Sequence, residues 1–130
     1  MRLYRIILLR LPVLLIAGTI WIFSSQSILP QPKGIIGWDK LQHFLAYGAL
    51  GLAIGLWISP FFWNRHPALS VLITAFISSA YGAVDEFHQY FVPGRDCNVW
   101  DWLADTLGAF LGALTIMLCM RRKKVPEGAS

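Results

Sequence analysis

ALSVLITAFISSAYGAVDEFHQ, residues 68–89, is the stretch on which the fold turns. From Ala68 to Val84 it holds no Lys, Arg, Asp or Glu, and it then closes on two carboxylates, an imidazole and an amide. A helix needs about 17–25 apolar residues to cross roughly 30 Å of hydrocarbon, and this run is long enough. Its small hydroxyl residues leave no broad polar face for water. The run therefore reads as a transmembrane helix with its polar end at one membrane surface.

The same spacing of charges recurs outward from it. Arg10 is followed by no Lys, Arg, Asp or Glu until Lys33; Lys40 to Arg65 and Asp105 to Arg121 are equally clear. The gaps predict four membrane helices, near residues 6–23, 41–58, 68–89 and 102–120. The last gap is the shortest, but its helix can begin before Asp105 and Arg121 can snorkel to the headgroups. Period-two alternation of the kind a membrane barrel needs is absent. The expected fold is an all-α integral membrane four-helix bundle, with one domain over 1–120 and a basic tail over 121–130.

Composition excludes the alternatives. Of 130 residues, 56% are hydrophobic and 14% charged, with a mean hydropathy of +0.56; an ordinary soluble domain carries about 25% charged residues. A small soluble domain has too much surface to manage with so few polar groups. Disorder is excluded because disordered chains are poor in apolar residues.

Basic residues set the orientation. Arg2, Arg5, Arg10, Arg65, Arg121, Arg122, Lys123 and Lys124 lie on one side, whereas Lys33, Lys40 and Arg95 lie on the other, beside Asp39, Asp96 and Asp101. By the positive-inside rule both termini are cytoplasmic, in a multi-pass protein of the cell's inner membrane. Topology and contact with anionic lipid then account for the net charge of +4 without a nucleic-acid partner. Arg2, Arg5 and the run to Phe23 look like the start of a signal peptide, but no A-x-A site follows, so a retained helix is expected. Cys97 in the outer loop and Cys119 at the inner end of the last helix lie too far apart to pair within one chain.

Polar residues converge on the outer face. Ser24–Ser27 end the first helix; Asp39, Lys40, His43 and Tyr47 open the second. Asp85, Glu86, His88 and Gln89 end the third, Arg95 follows in the loop, and Asp101 and Asp105 open the fourth. Asp39, His43 and Tyr47 share a face by their i, i+4, i+8 spacing. Gly108 and Gly112, one turn apart on the fourth helix, should let a neighbour approach closely and so turn Asp101 and Asp105 inward. Ionisable groups at membrane depth are costly and line cavities or pair with one another. His43 is accordingly expected within reach of Asp85 or Glu86; if Asp85 faces Asp101, Glu86 is left to address the loop, where Arg95 can bind it or a ligand's phosphate or carboxylate.

The chemistry open to this set is broad. The five carboxylates Asp39, Asp85, Glu86, Asp101 and Asp105 cannot all stay ionised without cations. Lys40, Arg95 and His43 supply some; a divalent metal is another solution, its candidate ligands being His43, Asp85, Glu86, His88, Asp101 and Asp105. An oxygen-rich set suits magnesium, calcium or manganese, and the histidines admit zinc. His43, Asp85 and Glu86 are the candidates for acid–base catalysis. Arg95 could fork onto a phosphate or carboxylate. The bland alternatives are that Asp39 caps its helix and that Asp85, Glu86 and Arg95 form an ion-pair network holding the loop. Trp38, Trp100 and Trp102 read as an interfacial belt.

Asp39-Lys40-x-x-His43-x-x-x-Tyr47, the DEFHQYFVPGR stretch from Asp85 to Arg95, Asp101 and the Gly108/Gly112 stripe resemble the VanZ-like family of small polytopic membrane proteins. The resemblance covers about residues 20–115; one departure is Asp105, where many members carry Asn. The family is named for a protein conferring teicoplanin resistance, so the resemblance implies a cell-envelope role rather than a particular reaction. The expected binding set is Asp39, Lys40, His43, Tyr47, Asp85, Glu86, Gln89, Arg95, Asp101 and Asp105. The expected partners are membrane lipid, a lipid-linked envelope precursor or a lipoglycopeptide, with oligomerisation left open. Three activities compete: binding of such a molecule, a metal-assisted hydrolase or transferase acting on it, and a small transporter component. The apolar inner halves of the helices disfavour transport.

Overall fold

The computed structural model describes residues 2–27 and 36–122. Helix α1 spans Arg2–Ser24, α2 Trp38–Gly55, α3 Pro60–Arg65, α4 Pro67–Gln89 and α5 Val99–Arg122. The described residues contain no strand. The turn expected from Pro30, Pro32 and Gly34 and the tail from residue 123 lie outside the described residues.

Three segments are long and apolar enough to cross a membrane: Ile7–Ser24, Pro67–Gln89 and Val99–Met120. The charge gaps predicted four. Helix α2 does not join them because its 18 residues begin with Trp38, Asp39 and Lys40 and continue through Gln42 and His43. Its inner two-thirds is nevertheless well enclosed, with Tyr47, Leu50, Gly51, Ala53, Ile54 and Gly55 buried. It touches α1, α4 and α5, so it packs inside the bundle rather than at its edge.

Small residues decide how closely α2 and α5 pack. A Cβ on Gly108 would run into the Phe44 carbonyl, and one on Gly112 into the Gly48 carbonyl. From the other side, a Cβ on Gly55 would meet the Ile116 side chain at 3.1 Å. Backbone thus lies against backbone, as the Gly108/Gly112 spacing predicted. Ala109 and Ala113 are completely buried in the same seam.

Helix α1 is attached more lightly. Val13, Ile20 and Ser24 are buried, but most of its large apolar residues are exposed, a surface suited to hydrocarbon. Ties at several heights hold it to its neighbours. Trp57 Nε1 donates to the Leu9 carbonyl (2.9 Å), the Tyr81 hydroxyl donates to the Ala17 carbonyl (2.7 Å), and Ser24 Oγ donates to Asp85. Pro12 lies inside the helix, where it forgoes one backbone hydrogen bond.

A short helix joins α2 to α4. Ser59 accepts from the Phe62 N–H (3.2 Å) and Pro60 occupies the first turn, which together start α3. Trp63 is buried there and donates to the Gly55 carbonyl (2.9 Å). At the other end of the bundle, Gly94 takes φ +79°, a conformation that costs glycine nothing. The Arg95 N–H closes this turn on the Val92 carbonyl (3.1 Å), and the chain then enters α5.

Candidate functional site

The ends of four helices meet where the polar residues gather. On α4, Asp85, Glu86 and Gln89 are each at most 3% exposed, so their polar atoms depend on partners within the protein. Gln89 Nε2 donates to Asp85 (3.2 Å) and Glu86 (3.3 Å). The second Asp85 oxygen accepts from Ser24 at the end of α1. Glu86 Oε2 accepts the Asn98 N–H (2.8 Å), which ties α4 to the segment before α5.

His43 extends the cluster to α2 and α5. Its Nδ1 lies 2.9 Å from Asp105 Oδ1 and 3.7 Å from Glu86 Oε1. His43, Glu86 and Asp105 each offer a ligand atom, all within 4.8 Å of one another, so this group could hold a metal ion. Asp105 is completely buried, and its Oδ2 has no hydrogen-bond partner. Tyr47 sits one turn deeper on α2, also buried, with its hydroxyl unpartnered and its ring 6.2 Å from that of Tyr81.

At the rim, Lys40 bridges Asp39 (2.9 Å) and Asp101 (3.0 Å). Its ammonium holds Asp39 below the ordinary carboxylate range. Asp39, and Asp101 after it, hold Lys40 above its ordinary value. Asp39 lies in the first turn of α2 but makes no side-chain cap; the capping position is Gly37.

Three expected juxtapositions do not occur. Asp85 turns towards Ser24 on α1 rather than towards Asp101, which Lys40 occupies. No ion pair joins Glu86 to Arg95 among the described residues, because Glu86 is taken by the Asn98 N–H, Gln89 and His43. His88 stands apart from the possible metal group. It stacks on Trp21 at 4.1 Å, and its Nε2 lies 3.0 Å from Ser25 Oγ. Residue types alone missed Asn98, whose side chain accepts the Trp100 N–H (3.0 Å) at the start of α5. An Asn ahead of an apolar run was its only available signal.

Two cavities open beside the cluster. The larger, of about 360 Å³, is walled by Ile20 and Phe23 of α1 and Ala46 of α2, and reaches Asp85, Gln89 and Arg95. The smaller, of about 210 Å³, is lined by Asp39, Asp96, Asn98 and Asp101. Asp39, His43, Gln89 and Arg95 border both. The Nε of Arg95 is buried without a hydrogen-bond partner among the described residues.

A family model described as VanZ/LLP1 matches residues 11–120. The chain belongs to this family. No curated protein and no solved structure matches it significantly. The VanZ/LLP1 match takes in both cavities and every member of the polar cluster from Ser24 to Asp105. The cluster is thus part of the VanZ/LLP1 domain itself.

Proposed function

We propose that this VanZ-like protein is a four-helix protein of the inner membrane with both termini cytoplasmic. In this reading its polar site faces outward and binds an amphipathic envelope molecule: a lipid headgroup, a lipid-linked wall precursor or a lipoglycopeptide. One observation carries the proposal. A single cavity joins an apolar wall on α1 to Asp85, Gln89 and Arg95, the pairing of surfaces that an acyl chain with a polar head requires. The lysine and arginine asymmetry supports the orientation, and the family association with teicoplanin resistance supports an envelope ligand.

The purified protein in nanodiscs, tested by native mass spectrometry against those three ligand classes, should retain at least one. Retention of none by a folded sample would overturn the proposal.

A metal-dependent hydrolase or transferase is the second reading, favoured by the convergence of His43, Glu86 and Asp105. A divalent ion there could polarise a phosphoryl or carbonyl oxygen. Elemental analysis after equilibration with magnesium, manganese or zinc tests it: stoichiometric metal lost in Asp105→Ala is expected, and metal-free protein would sink this reading.

A further inference from the structure

The site proposed above has an internal order, and Arg95 stands at its centre. The guanidinium borders both cavities, yet its buried Nε has no hydrogen-bond partner among the described residues, although Asp39, Asp85, Asp96 and Asp101 line the same spaces. Each neighbouring cation is committed elsewhere: Lys40 to Asp39 and Asp101, His43 to Asp105. A buried guanidinium N–H without an acceptor is costly, and its fork of donors matches the oxygens of a phosphate.

What lies on either side of Arg95 narrows the ligand. On one side are Ile20 and Phe23 of α1 and Ala46 of α2, which suit hydrocarbon. Towards the loop before α5 are Asp39, Asp96, Asp101 and Asn98, which suit a cation with N–H donors. These carboxylates would repel a second negative charge on the phosphate, so a singly charged diester fits better than a monoester. The order along the site is apolar, then cationic, then acidic. A phospholipid with an amino headgroup presents the complementary order: acyl chain, phosphodiester, ammonium.

We infer that the site takes such a zwitterionic phospholipid, with its diester on Arg95, its acyl chain beginning in the larger cavity and its ammonium in the smaller. This rests on the proposed binding function and names the ligand class.

The test is lipid exchange into the detergent-purified full chain, read by native mass spectrometry. The lipids are phosphatidylethanolamine, phosphatidylglycerol and diacylglycerol of matched chains, with inorganic phosphate as a competitor. Phosphatidylethanolamine should bind at least fivefold more tightly than phosphatidylglycerol and at least tenfold more tightly than diacylglycerol. Arg95→Gln, which removes an Nε unpartnered among the described residues, should lose at least tenfold in affinity while remaining folded. Asp39→Asn/Asp96→Asn should abolish the preference for phosphatidylethanolamine.

Equal binding of the two phospholipids, or unchanged affinity in Arg95→Gln, would overturn the inference. Displacement of the lipid by millimolar phosphate would show that free phosphate is the ligand, and would overturn it too. If a wall precursor or lipoglycopeptide is retained while phosphatidylethanolamine is not, this inference falls and the broader function stands. If nothing is retained, both fall.

Discussion

His43 on α2 and Asp105 on α5 are joined by a 2.9 Å contact from Nδ1 to Oδ1, sixty-two residues apart in the chain. The contact crosses the seam where Gly108, one turn deeper on α5, lies against the Phe44 backbone. The most buried acid of the site therefore sits in the tightest helix pair of the bundle.

Removing the Asp105 carboxylate should thus cost stability. Asp105→Ala leaves His43 without its closest partner, at a cost of about 1–3 kcal/mol. Asp105→Asn keeps an oxygen that can accept from His43 and should retain most of the stability. Thermal unfolding in detergent should rank the wild type first, then Asn, then Ala; an unaffected Ala variant would disprove the linkage.

The glycine seam is sharper still. Gly112→Leu must push apart the backbones of α2 and α5, and overpacking of this kind costs about 1–3 kcal/mol or more. Gly18 on α1 has open space around it, so Gly18→Ala should be neutral or stabilise by about 0.5–1 kcal/mol. Similar melting temperatures for Gly112→Leu and the wild type would contradict the packing described.

Much of this was legible in the sequence. Uninterrupted apolar runs located the three helices long and apolar enough to cross a membrane among the described residues, because few residues other than charges stop a membrane span. Spacing alone exposed the Gly108/Gly112 stripe and the shared face of Asp39, His43 and Tyr47. Partner choice was not legible. Asp85 selects Ser24 and Glu86 selects the Asn98 N–H because of how α1 and the loop are placed in space, and no periodicity records that. Nor did the charge gaps show that the polar first turns of α2 weaken its claim to be a span.

Glu86 and Arg95 should behave as independent residues. Glu86→Ala strands the Asn98 N–H and weakens the hold on His43, so its melting temperature should fall by several degrees. Arg95→Gln should melt within about a degree of the wild type, since it removes a buried Nε that has no hydrogen-bond partner among the described residues, and losing an unsatisfied group costs little stability. The double variant Glu86→Arg/Arg95→Glu should gain nothing over the worse single variant. Recovery in the double variant would reveal an ion pair after all.

Orientation can be read with thiol reagents. Cys97 is exposed and should react with an impermeant maleimide added to intact cells. A cysteine introduced by Lys123→Cys should react only after the membrane is permeabilised. The opposite pattern would place the polar site on the cytoplasmic side and would remove wall precursors assembled outside from consideration.

The light attachment of α1 bears on how the proposed ligand would enter and leave. This helix supplies the Ile20 and Phe23 wall of the larger cavity, yet it is held by little more than the packing of Val13 and Ile20 against α2 and a few hydrogen bonds and ring contacts, while most of its large apolar residues are exposed. A wall of that kind yields sideways more readily than the α2–α5 seam does. Exchange of the cavity's contents would then answer to the lateral pressure of the leaflet: stiff, tightly ordered bilayers would trap an occupant, and loosely packed ones would release it.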